Sequence, residues 1–248
     1  MNDTAAINRL DLDADVAALA ARIRSLEEVA TPFSHAVGDD LLPPALFEAV
    51  MATVPEPEAM VRKSAGHRGR YPDERRIVAL TEPVHPMAEN DPVLRHLAAV
   101  LSARPVAEAW LWLFRRIIGK RIAVTSGMRP EDLRVRTAIE LIVDVEGYAL
   151  PPHTDGAVKL VTVLIYLARP GDPEALGTAL YRPLKPGFHS DGVDYVPFET
   201  MEEAARVPYR ANRCLAFARS NVSFHGVPKN LSGTSRRLLQ ISIVQEID

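Results

Sequence analysis

Residues 134–155 read RVRTAIELIVDVEGYALPPHTD, and apolar side chains alternate with polar ones along most of this stretch. The odd positions from 135 to 145 are almost all apolar, whereas the even positions include arginine, glutamate and aspartate. Successive side chains of a β-strand point to opposite faces of a sheet, so the pattern predicts a strand with one apolar and one polar face. Enclosed polar groups need partners, and the polar face therefore predicts a cavity that holds a polar ligand.

The rest of the chain divides into a helical and a strand-rich part. Further strands are predicted at residues 159–167, 178–182, 213–218, 223–227 and 236–244, with turn-forming residues between them. Helical spacing is found earlier, at residues 16–26, 43–53, 90–102 and 105–124. Residues 200–203, TMEE, have the capping-box spacing that predicts one more short helix. This order predicts an α+β fold built on a sandwich or barrel, with helices covering the apolar outer face of one sheet.

Composition narrows the class of protein. The chain has 248 residues, a net charge of −3 and one cysteine, which excludes an intrachain disulfide and a multi-cysteine metal site. The charge gives no general attraction to nucleic acid or to an anionic membrane. The longest apolar run, residues 160–168, is too short to span a bilayer. The first residues lack the basic and apolar segments of a signal peptide, so we expect a cytoplasmic protein.

His153 and Asp155 stand two residues apart at the end of the opening stretch. In an extended chain, side chains at i and i+2 point to the same face, so this imidazole and this carboxylate converge. A third ligand from a distant strand would complete the two-histidine, one-carboxylate set that binds Fe(II) and leaves other positions open. His225, on the strand predicted at 223–227, is the favoured third ligand, and His189, in a loop of Gly, Ser and Asp, is the weaker alternative.

Two adjacent arginines, Arg236 and Arg237, begin the last predicted strand. By the same alternation Arg236 shares a face with Gln240, whereas Arg237 shares a face with Ile241. The more polar face should line the cavity, so we expect Arg236 to point inward, where a guanidinium can hold a carboxylate through two parallel hydrogen bonds. Arg237 is expected on the apolar face, reaching solvent at the start of the strand.

Three segments together resemble a known family. GYALPPHTD (147–155) and FHGVPKNLSGTSRRLLQIS (224–242) are similar to the two iron-binding segments of the Fe(II)- and 2-oxoglutarate-dependent dioxygenases of the prolyl-hydroxylase-like group. TPFSHAVGDDLLPPALFEAV (31–50) resembles the usual lead-in of that family, and the likeness covers most of residues 31–246. It implies a single domain over 1–248, with a mainly helical part at about 1–130. A double-stranded β-helix, a cupin-like jelly roll, would follow at about 131–248.

The resemblance also implies an activity and its residues. Fe(II) would be held by His153, Asp155 and His225, and the distal carboxylate of 2-oxoglutarate by Arg236. With O2, such a site hydroxylates a small-molecule substrate and releases succinate and CO2. Tyr148 is either a hydrogen-bond donor to 2-oxoglutarate or a buried core tyrosine.

The sequence departs from the family's pattern beside the arginine. A second arginine, Arg237, follows Arg236, and no serine stands two residues after Arg236. The choice between the two arginines therefore depends on the strand alternation described above.

Two rival functions remain open. One is a metal-dependent cupin-like enzyme that does not use 2-oxoglutarate, and the other is a non-catalytic ligand-binding jelly roll. Lys159 is either a rim charge or a substrate contact, and residues 188–207 could form a lid with His189 and Tyr195. A basic cluster is expected to be a solvated loop, with contact to an anionic substrate as the less favoured alternative; it comprises Arg62, Lys63, His67, Arg68, Arg70, Arg75 and Arg76. Nothing in the sequence indicates an oligomeric state.

Overall fold

The computed structural model describes residues 10–62, 72–125, 133–192 and 194–246. Within them the helices are α1 (Leu12–Arg24), α2 (Pro44–Thr53), α3 (Pro86–Asn90), α4 (Pro92–Ser102), α5 (Arg104–Leu113) and α6 (Arg115–Thr125). The strands are β1 (His35–Gly38), β2 (Val61–Arg62), β3 (Arg75–Ala79), β4 (Val135–Asp144), β5 (Leu150–His153), β6 (Lys159–Tyr166), β7 (Thr178–Pro183), β8 (Met201–Val207), β9 (Cys214–Ala218), β10 (His225–Val227) and β11 (Arg236–Gln245). None of the described helices has the length and apolar character needed to cross a membrane.

Local sequence signals set where the helices begin. Asp11 caps α1 by accepting a hydrogen bond from the backbone N–H of Ala14, and Asp91 caps α4 by accepting from Val93 and Leu94. Proline stands in the first turn of each helix from α2 to α5, where its missing N–H costs no helical hydrogen bond.

The long helix predicted at 105–124 is divided in two. α5 ends at Leu113, and α6 begins at Arg115 after a turn at Phe114, whose backbone angles are φ −102° and ψ 17°. Phe114 is fully buried, and Trp110 and Ile118 on either side of it are buried in the same cluster. The break therefore changes the helix direction while the apolar side remains in the core.

The helix predicted from the capping-box spacing at 200–203 is absent. Residues Phe198–Thr200 form a single 3-10 turn, and β8 begins at Met201 and pairs antiparallel with β7. Glu203 lies opposite Tyr181 in that pair, and its carboxylate binds the Arg206 guanidinium instead of capping a helix. Pairing with a neighbouring strand has overridden a local helix signal.

Two antiparallel sheets are present in the described part of the chain. The larger has the strand order β1-β9-β6-β11-β4-β3-β2, and the smaller has the order β5-β10-β7-β8. β4 and β11 pair along their whole length, from Arg236 opposite Asp144 to Gln245 opposite Val135. This pairing fixes which side chains of both strands share a face.

The two faces of the larger sheet pack against different partners. Its outer face packs against the helices through apolar side chains at alternate positions, namely Ile139, Leu141 and Val143 of β4 and Leu239, Ile241 and Ile243 of β11. Its inner face packs against the smaller sheet, where Ile142, Leu164 and Leu238 contact the cluster that contains Leu180 and Val207. The predicted mixture of helices and antiparallel strands is confirmed.

The N-terminal part contributes strands as well as helices. β1 pairs with β9 along one edge of the larger sheet, and β3 pairs with β4 near the other. The sequence predicted strands only after residue 130, whereas the structure also has strands before it. These strands are short, and their partners are distant in sequence, so alternation within each one gave too little signal.

Asn212 fastens the N-terminal segment to the larger sheet. Its backbone is in the left-handed region, with φ at +55°, and its side chain is buried. The side-chain oxygen accepts a hydrogen bond from the Leu42 N–H at 2.9 Å, and the side-chain nitrogen donates to the Leu42 carbonyl at 2.8 Å. Asparagine is one of the few residues besides glycine that adopts this conformation at little cost.

We predict that Asn212→Ala lowers the free energy of unfolding by about 3 kcal/mol. Alanine leaves two buried backbone groups of Leu42 without their partners, at about 1 kcal/mol or more each, and adds left-handed strain of about 1 kcal/mol. Asn212→Gly is the matched variant, because it loses the same hydrogen bonds without the strain, and it should be less destabilised. Urea denaturation measures both variants, and an alanine variant as stable as the wild type would contradict the assignment.

Candidate metal centre

The structure brings His153, Asp155 and His225 together. His153 ends β5, and His225 begins the neighbouring antiparallel strand β10 directly opposite it, with ring centroids 4.3 Å apart. Asp155 follows two residues after His153, and one ligand atom from each of the three lies within 4.8 Å of the other two. All three side chains are buried. His189, the alternative ligand, is exposed in the segment after β7 and lies outside this group.

Backbone carbonyls orient both imidazoles. Nδ1 of His153 lies 2.9 Å from the Pro151 carbonyl, and Nδ1 of His225 lies 3.1 Å from the Ser223 carbonyl. A carbonyl oxygen only accepts, so each Nδ1 must carry a proton, and in the neutral form of each ring the lone pair is then on Nε2. This is the arrangement by which proteins fix the tautomer of a metal-binding histidine.

Asp155 is held as a buried carboxylate. Its Oδ1 accepts from Lys159 Nζ at 3.0 Å, and its Oδ2 accepts from Thr162 Oγ1 at 2.6 Å. Burial raises the pKa of this carboxyl, but the positive charge of Lys159, the two histidines and the Thr162 hydrogen bond outweigh it and hold the pKa well below its usual range. Lys159, for which a rim position or a substrate contact was predicted, is thus an ion-pair partner of Asp155 that also lines the cavity.

The segment between β7 and β8 packs tightly against the Asp155 loop. Arg219 is buried and donates from Nε to the Asp155 carbonyl at 3.0 Å and from Nη2 to the Asp191 carbonyl at 2.5 Å. A β-carbon at Gly192 would lie 2.1 Å from the Asp155 carbonyl oxygen, so this position requires glycine. The N–H of Val196 donates to the Pro152 carbonyl at 2.8 Å. The segment is therefore fixed to the backbone that carries the metal ligands.

A cavity of about 280 Å³ lies between the two sheets. It is lined by His153, Asp155 and His225. The remaining lining residues include Arg75, Thr81, Glu82, Glu140, Lys159, Thr178, Tyr195, Arg236, Gln240, Ser242 and Val244. Its volume is close to the lower limit of about 300 Å³ that is usual for small-molecule sites. The Tyr195 ring lies 5.4 Å from the His153 ring, so this tyrosine lies beside the metal ligands.

Arg236 points into this cavity and Arg237 does not. Arg236 is 2% exposed, and its guanidinium donates to Asp144 Oδ2 at 2.9 Å, to the Leu176 carbonyl at 2.7 Å and to Thr178 Oγ1 at 3.0 Å. The residues of β11 that share its face line the cavity, as the alternation predicts.

Arg237 is buried at 7% exposure, and the prediction that it reaches solvent was wrong. The reason is its position in the sheet. Arg237 pairs with Val143 of β4 on one side, and on the other side its carbonyl accepts a hydrogen bond from the Leu167 N–H. The start of β11 therefore lies inside the sheet and not at an edge.

Arg75 and Asp144 belong to the same site. The sequence interpretation did not assign Asp144 to it, and it considered Arg75 only as one member of the basic cluster. Arg75 donates from Nε to Asp144 Oδ1 at 2.7 Å and from Nη2 to Oδ2 at 3.0 Å, and both residues are buried. Asp144 has an even residue number, and the alternation assigns the even positions of β4 to the cavity face, so its position could have been predicted from the sequence. Arg75 lies 69 residues earlier and had no local signal.

The basic cluster that included Arg75 is not simply a solvated loop. Arg62 belongs to β2, and Arg75 and Arg76 belong to β3. Lys63, His67, Arg68 and Arg70 lie outside the described residues.

Tyr148 is fully buried behind this arginine. The Arg75 guanidinium lies 4.7 Å from the centroid of its ring, and burial raises the pKa of the phenol well above its usual value. Among the described residues, its hydroxyl has no hydrogen-bond partner. Tyr148 is not among the residues that line the cavity.

No protein-family model and no curated protein matches this sequence. Solved structures do match it. "The non-heme alpha ketoglutarate dependent epimerase SnoN from nogalamycin biosynthesis" is 17% identical with a TM-score of 0.52, over 94% of this chain and 84% of that one. A Pseudomonas putida prolyl-4-hydroxylase is 16% identical with a TM-score of 0.52, over 92% of this chain and 100% of that one. A Trichoplax adhaerens prolyl hydroxylase is 12% identical with a TM-score of 0.51, over 98% and 93%.

At these identities the likeness concerns the path of the backbone. It extends over nearly the whole chain and includes both the helices and the two sheets that enclose the cavity. The chain therefore has the fold of the Fe(II)- and 2-oxoglutarate-dependent oxygenases, the superfamily that its two histidine-bearing segments resemble.

Proposed function

We propose that this protein is an Fe(II)- and 2-oxoglutarate-dependent oxygenase that hydroxylates a small molecule and releases succinate and CO2. The observation that carries the proposal is that one cavity is lined by two chemically different groups. The first group is His153, Asp155 and His225, and the second is the buried guanidinium of Arg236.

The residues of the first group fit Fe(II). Two imidazole Nε2 atoms and one carboxylate form the facial set of non-haem iron sites, which leaves positions open for other ligands. Fe(II) and 2-oxoglutarate, when bound, would supply the oxidising chemistry with O2. The protein's own residues hold the ligands in place, because Lys159 and Thr162 fix the Asp155 carboxylate.

The second group fits the distal carboxylate of 2-oxoglutarate. A guanidinium has five N–H donors, and the contacts of Arg236 with described residues use three of them. Its remaining donors lie on Nη1 and Nη2, where a carboxylate can accept two parallel hydrogen bonds. Tyr148 lies beside Arg75 but is not among the residues that line the cavity.

The architecture supports the same assignment. We infer that the two facing sheets, with helices on the outer face of the larger one, form the double-stranded β-helix of this superfamily. SnoN is described as an epimerase and two other neighbours as prolyl hydroxylases, so the fold alone does not select a reaction. The small cavity favours a small-molecule substrate over a peptide or nucleic acid.

Two rival functions are less well supported. A cupin-like metal enzyme without 2-oxoglutarate would have no use for a buried inward arginine, and Arg236 is one. A non-catalytic binding protein would have no use for two histidines whose Nε2 atoms converge with a carboxylate.

The function is tested by oxygen consumption. The protein is purified without oxygen, loaded with Fe(II) and supplied with O2, with and without 2-oxoglutarate, while succinate is measured. A screen of small metabolites then searches for compounds that accelerate succinate release. Oxygen uptake that does not depend on 2-oxoglutarate would support the cupin-like alternative, and failure to bind iron would support the non-catalytic one.

We predict that His153→Ala, Asp155→Ala and His225→Ala each nearly abolish iron binding. Loss of one of three protein ligands disrupts a facial site, and changes in supporting residues alone typically cost about 10–100-fold. His189→Ala is the control and should keep the wild-type iron content after anaerobic loading. A His225→Ala protein with full iron, together with a His189→Ala protein without it, would overturn the ligand assignment.

The two adjacent arginines provide a second matched test. Arg236→Met should raise the 2-oxoglutarate dissociation constant by about 30-fold or more, because truncating one partner of a buried charge pair costs about 2–5 kcal/mol. Arg237→Met removes a neighbouring guanidinium on the other face and should change that constant little. Both variants should still bind Fe(II), and anaerobic calorimetry with 2-oxoglutarate measures the difference. The opposite ranking would show that Arg237 holds the co-substrate.

A further inference from the structure

Three buried charges lie in one row across the larger sheet. Asp144, the last residue of β4, lies opposite Arg75 on β3 and opposite Arg236 on β11. The exposed fractions are 4% for Arg75, 0% for Asp144 and 2% for Arg236. Both arginines line the cavity that the two histidines also line.

The two arginines share one carboxylate. Arg75 binds both oxygens of Asp144, at 2.7 and 3.0 Å, and Arg236 binds Oδ2 at 2.9 Å. Arg236 is oriented further by the Leu176 carbonyl and by Thr178. The Asp144 carboxylate therefore neutralises one guanidinium and orients both.

The charge of this row does not sum to zero. Two guanidinium groups and one carboxylate leave one positive charge in a buried position, which is unfavourable unless a partner compensates it. Glu140 also lines the cavity, but its charge acts at Arg75 more weakly than that of Asp144. An anion bound in the cavity would compensate the positive charge that remains in the row.

Polar groups next to the row are arranged to receive an anion. Thr178 Oγ1 accepts hydrogen bonds from Arg236 at 3.0 Å and from the Tyr166 hydroxyl at 2.9 Å. Two accepted bonds use both lone pairs of a hydroxyl and leave its own O–H to donate. Thr178 lines the cavity, so this donor is available to a molecule bound there.

We propose that Arg75 is a positioning residue that makes this part of the cavity positive by neutralising Asp144, and thereby makes the site selective for an oxo acid with a second carboxylate. This inference rests on the proposed function and adds to it. The affinity for 2-oxoglutarate should depend on the net charge of Arg75, Asp144 and Arg236 together. Arg236 alone, facing an unneutralised Asp144, would present no net charge to the ligand.

A series of charge variants tests this dependence. The net charge of the row is +1 in the wild type and in Arg75→Lys, 0 in Arg75→Met, +2 in Asp144→Asn, and again +1 in the Arg75→Met/Asp144→Asn double variant. The 2-oxoglutarate dissociation constant is measured for each Fe(II)-loaded protein by anaerobic calorimetry. Thermal unfolding and Fe(II) content serve as controls for folding and for the metal site.

We expect Arg75→Met to weaken 2-oxoglutarate binding by about 30-fold or more and the double variant to restore most of this loss. Arg75→Lys should bind 2-oxoglutarate with nearly the wild-type affinity. Asp144→Asn should bind it at least as tightly as the wild type does. 2-Oxovalerate, which lacks the distal carboxylate, should show almost no dependence on the series. Fe(II) content should be unchanged throughout.

Several outcomes would overturn the proposal. If Asp144 and Arg75 served only to hold the structure, Asp144→Asn would bind more weakly than the wild type and the double variant would be worse than either single one. This comparison decides the question even if Arg75→Met does not fold. A wild-type protein that binds no 2-oxoglutarate would refute the proposed function and this inference with it. A wild type that binds, combined with equal affinities across the series, would refute this inference alone.

Discussion

The period-two alternation of β4 and β11 is the constraint on which the rest of the molecule depends. These two strands pair over ten residues in one register, from Asp144 opposite Arg236 to Val135 opposite Gln245. A shift of one residue would turn the apolar side chains that meet the helices towards the cavity and bury the cavity-facing polar groups against the helices. Helix packing, cavity lining and the position of Arg236 are therefore consequences of one strand pairing.

The smaller sheet adds two of the three candidate metal ligands to this framework. His153 and His225 face each other across β5 and β10, and their Nδ1 atoms are tied to carbonyls of their own chain segments. Because the larger sheet carries the arginines and the smaller sheet carries the histidines, the two groups that line the cavity come from different layers of the fold. Their separation is fixed by the packing between the sheets, which is dense and apolar around Tyr166, Leu180 and Phe217.

Much of the fold and of the site was predictable where the signal was local. The strands from β4 to β11 with long alternating or apolar runs were found, and the i, i+2 spacing of His153 and Asp155 indicated their convergence. The alternation also assigned Arg236 to the cavity. What escaped prediction depended on distant partners: β1 to β3, β8, and the ion pair between Arg75 and Asp144. A capping pattern at 200–203 even indicated the wrong structure, because strand pairing outweighed it.

Gly192 couples the segment between β7 and β8 to the loop that contains Asp155. With no room for a β-carbon at 192, and with Arg219 joining the carbonyls of Asp155 and Asp191, a displacement at this point would be transmitted to a metal ligand. The Tyr195 ring, three residues further on, lines the cavity and lies 5.4 Å from the His153 ring. Substitutions intended to change which ligand the cavity accepts therefore belong at Tyr195, whereas the backbone of residues 190–192 is best left unchanged.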